Sequence, residues 1–154
     1  MAWYYSYKGR IKVSKGFSGK TITRFKAIER FSHWLMAGSF IILAITGLNL
    51  LYGKYILLPV LGPETFSIIT ISGKYAHNFL SFAFMLGLGM SFVCWVSHNI
   101  PSKLDVEWLR QGGGLFDDSH PPARKFNAGQ KIIFWAVMIG GLSVSMSGIA
   151  LMFP

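Results

Sequence analysis

Charged side chains are scarce in this chain of 154 residues: they make up 14% of it, and only six are acidic. Hydrophobic residues account for 52%, and the mean hydropathy is +0.44. This composition is too apolar for a soluble domain of the same length. It predicts an all-α membrane protein, because helices satisfy their own backbone polar groups inside a bilayer.

Cysteine is almost missing as well. The single Cys94 cannot form an internal disulfide, and no Cys-x-x-Cys-His haem attachment motif is present. The first thirty residues are basic and contain no apolar core, so we expect no signal peptide. A nucleophile triad, a phosphate-binding glycine loop and a zinc-ligand cluster are also absent from the sequence.

The basic residues that are present give a net charge of +9 and lie in separate segments. Residues 1–29 combine Lys and Arg with Trp3 and several tyrosines, which is typical of a cytoplasmic or interfacial tail. Docking against a partner protein is the alternative. Because the charge lies beside apolar runs rich in aromatics, we expect membrane lipid as the partner and no nucleic acid.

Three uncharged runs are long enough to cross a bilayer. They predict spans at about 32–52, 75–97 and 131–153, within a membrane domain of residues 30–154. Pro59, Gly62, Pro63 and Glu64 interrupt the intervening segment, residues 54–74. We expect that segment to be a short interfacial or partner-facing connection.

The distribution of bases predicts the orientation. The N-terminal segment has eight, the first connection two, and the second loop, with Lys131, five. Because cytoplasmic loops are enriched in Lys and Arg, the N-terminus is expected in the cytoplasm.

Two histidines begin the first two predicted spans within the same local pattern. Arg30-Phe31-Ser32-His33 and Lys74-Tyr75-Ala76-His77 both run base, aromatic, small residue, histidine. An imidazole at membrane depth indicates function, because it is costly to hold there. The spans run in opposite directions, so the two rings would lie roughly 20 Å apart along the membrane normal.

Two separated imidazoles suit an electron relay built from haem groups, which take axial histidine ligands. Arg30 and Lys74 each lie one helical turn before a histidine, where they could neutralise haem propionates. Alternatively, the two bases only extend to lipid headgroups.

Several other residues admit two interpretations. The helical face of His33 also carries Ala37, Phe40, Ala44 and Gly47. This face is either a helix-packing surface or a groove for a flat macrocycle. Asn127 and Gln130 lie at the start of the third span. They either cap the helix or donate hydrogen bonds to a quinone carbonyl. The remaining ambiguous residues are His98, either a second ligand to the His33 haem or an interfacial residue, and His120, which is most simply solvated.

These motifs resemble the cytochrome b (gamma) subunit of membrane-bound formate dehydrogenases. The resemblance covers about residues 24–154, and its most specific strings are His98-Asn-Ile-Pro101 and Asn127-Ala-Gly-Gln130. Respiratory hydrogenase cytochromes b are more distantly similar.

The resemblance implies a four-helix subunit of the bacterial inner membrane that holds two b haems. His33 is then an axial ligand of the cytoplasmic-side haem and His77 of the outer-side haem, and Asn127, Gly129 and Gln130 belong to a quinone pocket. Electrons would arrive from an iron–sulfur (beta) subunit that is attached to the catalytic (alpha) subunit. The formate-oxidising site lies in that catalytic subunit, so the resemblance implies none in this chain.

The sequence departs from this pattern after the third predicted span. The family has a fourth helix with the second axial histidine of each haem, whereas no histidine follows His120 here. We expect that the sequence is part of a longer subunit. A separate chain with the missing helix, or a haem-poor membrane anchor or assembly subunit of a peripheral oxidoreductase, are the alternatives. A small transporter is disfavoured by the lack of inverted repeats.

Overall fold

The computed structural model describes residues 21–114 and 121–153, together with Tyr5, Ser6, Gly9 and Gly19. Most of the predicted basic tail and the loop around His120 lie outside these residues. The described part contains no strand. Its elements are α1 (Ala27–Ile56), α2 (Leu58–Trp95), α3 (Lys103–Arg110) and α4 (Ala128–Met152), with short 3-10 turns at Val96–His98 and Gly112–Gly114.

Three of these helices, α1, α2 and α4, are long and apolar enough to cross a membrane. Large apolar side chains along them are exposed, among them Trp34, Phe79 and Leu151 at 70%, 73% and 85%. Helices in lipid present such side chains outward, because the bilayer rather than a protein core surrounds them. The prediction of an all-α membrane protein with three spans is confirmed.

The connection between α1 and α2 differs from the expected interrupted segment. Leu57 separates the two helices, and Gly62 is the only residue within α2 with non-helical backbone angles (φ 74°). Glycine adopts positive φ without a Cβ penalty. Pro63 follows it at the start of a new helical run, where its missing N–H costs nothing. The chain is therefore helical through most of residues 54–74.

The first two helices are in consequence longer than the predicted spans. At the usual helical rise, the 30 residues of α1 extend about 45 Å, and the part of α2 after the kink, residues 63–95, extends about 50 Å. The hydrocarbon core of a bilayer is only about 30 Å thick. The helical hairpin therefore exceeds the hydrocarbon thickness, and hydropathy alone identified only its most apolar part.

A close backbone contact holds α1 against α2. A Cβ placed on Gly87 would lie 2.7 Å from the Met36 nitrogen and 2.9 Å from its Cα. These atoms belong to the α1 backbone and cannot rotate away. Gly87 therefore permits the approach of the two helices, as small residues do in membrane bundles.

The third long helix packs against α2 through a small apolar cluster. Phe84 and Leu88 of α2 contact Phe134 and Met138 of α4, and all four side chains are buried. Further along, Gly141 leaves room for Leu88, whose Cδ1 would be 2.9 Å from an added Cβ. Dispersion contacts at these sites hold the helices together, because lipid supplies little hydrophobic driving force.

The short helix α3 covers the start of α4. Asp105 accepts hydrogen bonds from the Ser102 backbone N–H (2.6 Å) and hydroxyl (2.9 Å), which close the N-terminus of α3. The Trp108 ring lies over Gly129, where an added Cβ would be 3.3 Å from it. Ile100 accepts a hydrogen bond from the Lys131 ammonium through its carbonyl (3.0 Å), which ties the loop to α4.

Candidate functional site

His77 is held at the contact between α1 and α2. Its Nδ1 lies 2.9 Å from the Thr46 hydroxyl oxygen, and the ring is half-buried. Gly47 lies against the same ring, since an added Cβ there would be 3.2 Å from His77 Cε1. Among the described residues no hydrogen bond occupies Nε2. The second ring nitrogen is therefore available to a ligand.

A cavity of about 670 Å³ lies beside His77, between α1, α2 and α4. Lys74 lines it, as do Phe40 and Phe84. The cavity is also lined by three small residues, Ala44, Ser145 and Gly148. Their small size leaves the space between the helices open. No atom lies within 4 Å of an added Cβ at Gly148.

This cavity fits a haem group in size and chemistry. Cofactor sites are typically ~300–1,000 Å³, largely apolar, and carry a few placed polar groups. Here the polar groups are an imidazole with a free ring nitrogen and a lysine one turn away. Lys74 and His77 both line this cavity, and a role of Lys74 towards haem propionates stays a prediction.

His33 has a different environment. Its ring is exposed and makes an edge contact with Trp34 (centroids 5.3 Å apart) and a tilted contact with Trp95 (6.4 Å). Among the described residues it has no hydrogen bond. Arg30, one turn earlier, donates a hydrogen bond to the Phe25 carbonyl (2.9 Å).

Three residues of the helical face that the sequence assigns to His33 lie close to His77 in the fold. Phe40 and Ala44 line the His77 cavity, and Gly47 contacts the His77 ring. The cause is the antiparallel pairing of α1 and α2, which brings the start of one apolar run level with the end of the other. These three residues therefore lie at His77 in the fold, and a macrocycle groove on this face stays a prediction.

The same pairing keeps the two histidines apart. The Thr46 contact places His77 level with a residue thirteen positions beyond His33 on α1. At the helical rise this corresponds to roughly 20 Å along the helix. One small ligand could not contact both rings.

Asn127 and Gln130 form the predicted helix cap. The Gln130 backbone N–H donates to Asn127 Oδ1 (2.9 Å), and the Asn127 backbone N–H donates to Gln130 Oε1 (3.0 Å). The capping interpretation is confirmed. Gly129 lies between them beneath the Trp108 ring, a contact that sequence analysis did not predict.

A smaller cavity, about 290 Å³, lies near this cap. His98 lines it together with Arg124, Lys125 and Lys131. The His98 side chain is exposed, and the described aromatic ring that reaches His33 from α2 is Trp95. Ligation of a haem by His98 stays a prediction.

Sequence analysis overlooked Glu29. Its buried carboxylate accepts hydrogen bonds from the Lys26 backbone N–H (2.7 Å), Trp95 Nε1 (2.8 Å) and the Lys125 ammonium (2.5 Å). It thereby joins the start of α1, the end of α2 and the loop before α4. The available signal was its place in the first helical turn, where a carboxylate can cap the helix.

Asp105 and Lys131 form a second ion pair, with an Nζ–Oδ2 distance of 2.7 Å and exposed side-chain fractions of 15% and 8%. The hydrogen bond from Lys131, together with those from Ser102, holds the pKa of Asp105 below its usual 3.8. A carboxyl whose pKa is lowered in the folded state contributes its full stabilisation of the fold at pH values above its unfolded pKa. That contribution is lost as the pH falls through the lower, folded value.

Acidification below about pH 4 is therefore expected to loosen α3 from α4. The change should appear as altered tryptophan fluorescence, because Trp108 leaves its contact with Gly129. In Asp105→Asn the contact should already be weakened at neutral pH and show little further acid response. Glu107→Gln, which removes an exposed carboxyl from the same helix, is the control and should retain the wild-type transition. An unchanged transition in Asp105→Asn would contradict the assignment.

Residues 24–154 match the family model of prokaryotic cytochrome b561. The cytochrome b556(Fdn) subunit of the nitrate-inducible formate dehydrogenase of Escherichia coli (strain K12) is 34% identical over 122 residues, covering 77% of this chain and 54% of that protein.

Two further relatives are similar over most of the chain. The cytochrome b556(fdo) subunit of formate dehydrogenase from Escherichia coli (strain K12) is 26% identical over 136 residues, covering 87% of this chain and 62% of that protein. The formate dehydrogenase cytochrome b556 subunit of Haemophilus influenzae is 27% identical over 135 residues, covering 83% and 53%. The chain thus spans between 53% and 62% of the length of these three relatives.

Proposed function

Since this chain belongs to the prokaryotic cytochrome b561 family, we propose that it is the electron-transferring membrane subunit of a formate dehydrogenase. The observation that carries the proposal is the cavity at His77, which combines a free imidazole nitrogen, a lysine and apolar walls. The similarity to formate dehydrogenase cytochrome b556 subunits supports formate as the ultimate electron donor. A bound b haem would supply the one-electron carrier.

The two histidines would each hold one haem through an axial bond. His77 would bind from within its cavity, with Lys74 beside the propionates. His33 would bind at the opposite end of α1, and Arg30 would need to leave the Phe25 carbonyl to reach a propionate. The family resemblance places the second axial ligands on a fourth helix. The open space at Gly148 is compatible with a further group there.

The proposed direction of electron flow follows from orientation and spacing. With the N-terminus in the cytoplasm, His77 lies towards the outer side and His33 towards the inner side. Electrons would enter from an iron–sulfur beta subunit near His77, beyond which lies the catalytic alpha subunit. They would leave near His33. The helical hairpin keeps both histidines in one subunit at different depths.

Quinone would accept the electrons near the start of α4. The cap of Asn127 and Gln130 uses the oxygen of each side-chain amide. Neither side-chain NH₂ group has a partner among the described residues. Two amide donors on either side of Gly129 suit the carbonyl oxygens of a quinone. The capping and quinone interpretations are thus compatible.

The proposed organisation is a basic tail, residues 1–29, followed by a membrane domain.

The proposed function can be tested by visible spectroscopy. We expect the complex isolated from native membranes to show a b-type spectrum that formate reduces and a quinone analogue reoxidises. Reduction by hydrogen but not formate would favour a respiratory hydrogenase. A complex that assembles without haem would favour an anchoring role and contradict electron transfer by this chain.

A further inference from the structure

The contact between Thr46 and His77 determines more than the position of the ring. Thr46 Oγ1 lies 2.9 Å from His77 Nδ1, but it also lies 2.8 Å from the Ile42 carbonyl oxygen and 3.2 Å from that of Leu43. The hydroxyl carries a single proton to serve these neighbours. Which neighbour receives it decides which His77 nitrogen is protonated.

The oxygen–oxygen distances indicate where the proton goes. A separation of 2.8 Å is ordinary for an O–H···O hydrogen bond. Were the proton directed at His77, the hydroxyl lone pairs would face two carbonyl oxygens with no hydrogen between them. Thr46 therefore donates back to its own helix, as threonine commonly does. Its oxygen must accept from His77.

From this we infer that Thr46 is the positioning residue of the His77 haem site, holding the ring in the Nδ1–H tautomer with Nε2 free to bind iron. The inference rests on the proposed haem function. Neutral imidazole carries one N–H, so a proton fixed on Nδ1 leaves a bare lone pair on Nε2. Gly47 completes the arrangement, because a side chain there would press on Cε1.

The hydrogen bond would also alter the properties of the bound iron. An acceptor for the Nδ1 proton makes the imidazole more basic and a stronger donor to iron. A stronger donor favours the oxidised metal and lowers its reduction potential. His33 has no corresponding partner among the described residues. Any effect of Thr46 should therefore be confined to the haem at His77.

The experiment compares Thr46→Val with Thr46→Ser in the complex from native membranes. Valine keeps the shape of threonine but cannot accept a hydrogen bond, whereas serine keeps the hydroxyl. In Thr46→Val we expect a more positive midpoint potential for one haem and ~10- to 100-fold weaker haem retention, the usual range for such outer partners. Thr46→Ser should resemble wild type. Thr70→Val, a half-buried threonine on α2, is the matched control.

An unchanged potential in Thr46→Val, or the same shift in Thr46→Ser, would overturn the inference while leaving the haem function intact. Retention of both haems in His77→Ala would overturn the proposed haem ligand and the inference together. Nitrogen-15 NMR of ring-labelled histidine in haem-free protein supplies a readout that needs no variant of Thr46. The signal absent from His77→Ala should show a protonated Nδ1, and a protonated Nε2 would refute the assignment.

Discussion

Replacement of His77 by alanine is expected to remove one of the two proposed b haems completely and to leave the other in place. Among the described residues the imidazole is the only histidine ring that lines the 670 Å³ cavity, so the variant retains no described histidine ligand there. The cavity itself should persist, because the core of Phe84, Leu88, Phe134 and Met138 does not include His77. Haem-to-protein ratio and reduced-minus-oxidised spectra would measure the loss.

The reciprocal variant, His33→Ala, should remove the other haem. The two spectra should therefore add up to that of the unmodified protein, since the sites are roughly 20 Å apart and share no residue. His98→Ala is the control for the loss of a surface imidazole, as its side chain is exposed. Loss of haem in His98→Ala would make that residue a ligand. Full haem content in both His33→Ala and His77→Ala would refute the assignment.

Replacement of Glu29 by alanine is expected to have the largest effect on stability, about 3 kcal/mol. The change would leave three donors without their partner: the Lys26 N–H, Trp95 Nε1 and the Lys125 ammonium. Unpaired buried donors carry the cost of their lost hydration. Thermal inactivation in mild detergent, followed by aggregation or by haem loss, would report the change.

The Glu29 variant should also affect the two sites unequally. Trp95 contacts the His33 ring and is held by Glu29, whereas nothing described links Glu29 to the His77 cavity. We therefore expect the haem at His33 to be lost first. Glu64→Gln, at an exposed carboxyl on α2, should leave both stability and haem content unchanged. Equal loss from both sites would show that Glu29 acts only on global stability.

The spans could be predicted because their signal is local. An uncharged run long enough for a bilayer admits few structures other than a helix. The cap at Asn127 was predicted for the same reason, since its partner Gln130 lies three residues away in sequence. The extension of α2 back to Leu58, through Pro63, was missed. Proline usually marks a helix boundary, and here Pro63 resumes the helix after the kink at Gly62.

Contacts between segments distant in sequence were beyond such reasoning. Glu29 meets Lys125 across 96 positions, and Trp108 covers Gly129 from another helix. A helical face can be read from a sequence, but its partner cannot. For that reason the sequence placed Phe40, Ala44 and Gly47 on the face of His33, whereas in the fold they lie at His77.

The sequence alone determined the class of this protein: an all-α membrane chain with histidines near the starts of two uncharged runs and a family resemblance carried by short motifs. These properties depend on composition and on neighbours within one helical turn, where the backbone itself sets the geometry. Only the tertiary structure decided which histidine faces a cavity and which residue holds its ring. That outcome depends on the register between α1 and α2, and the close approach at Gly87 and Met36 forms part of that contact. Register arises from packing between surfaces, which no single stretch of sequence contains.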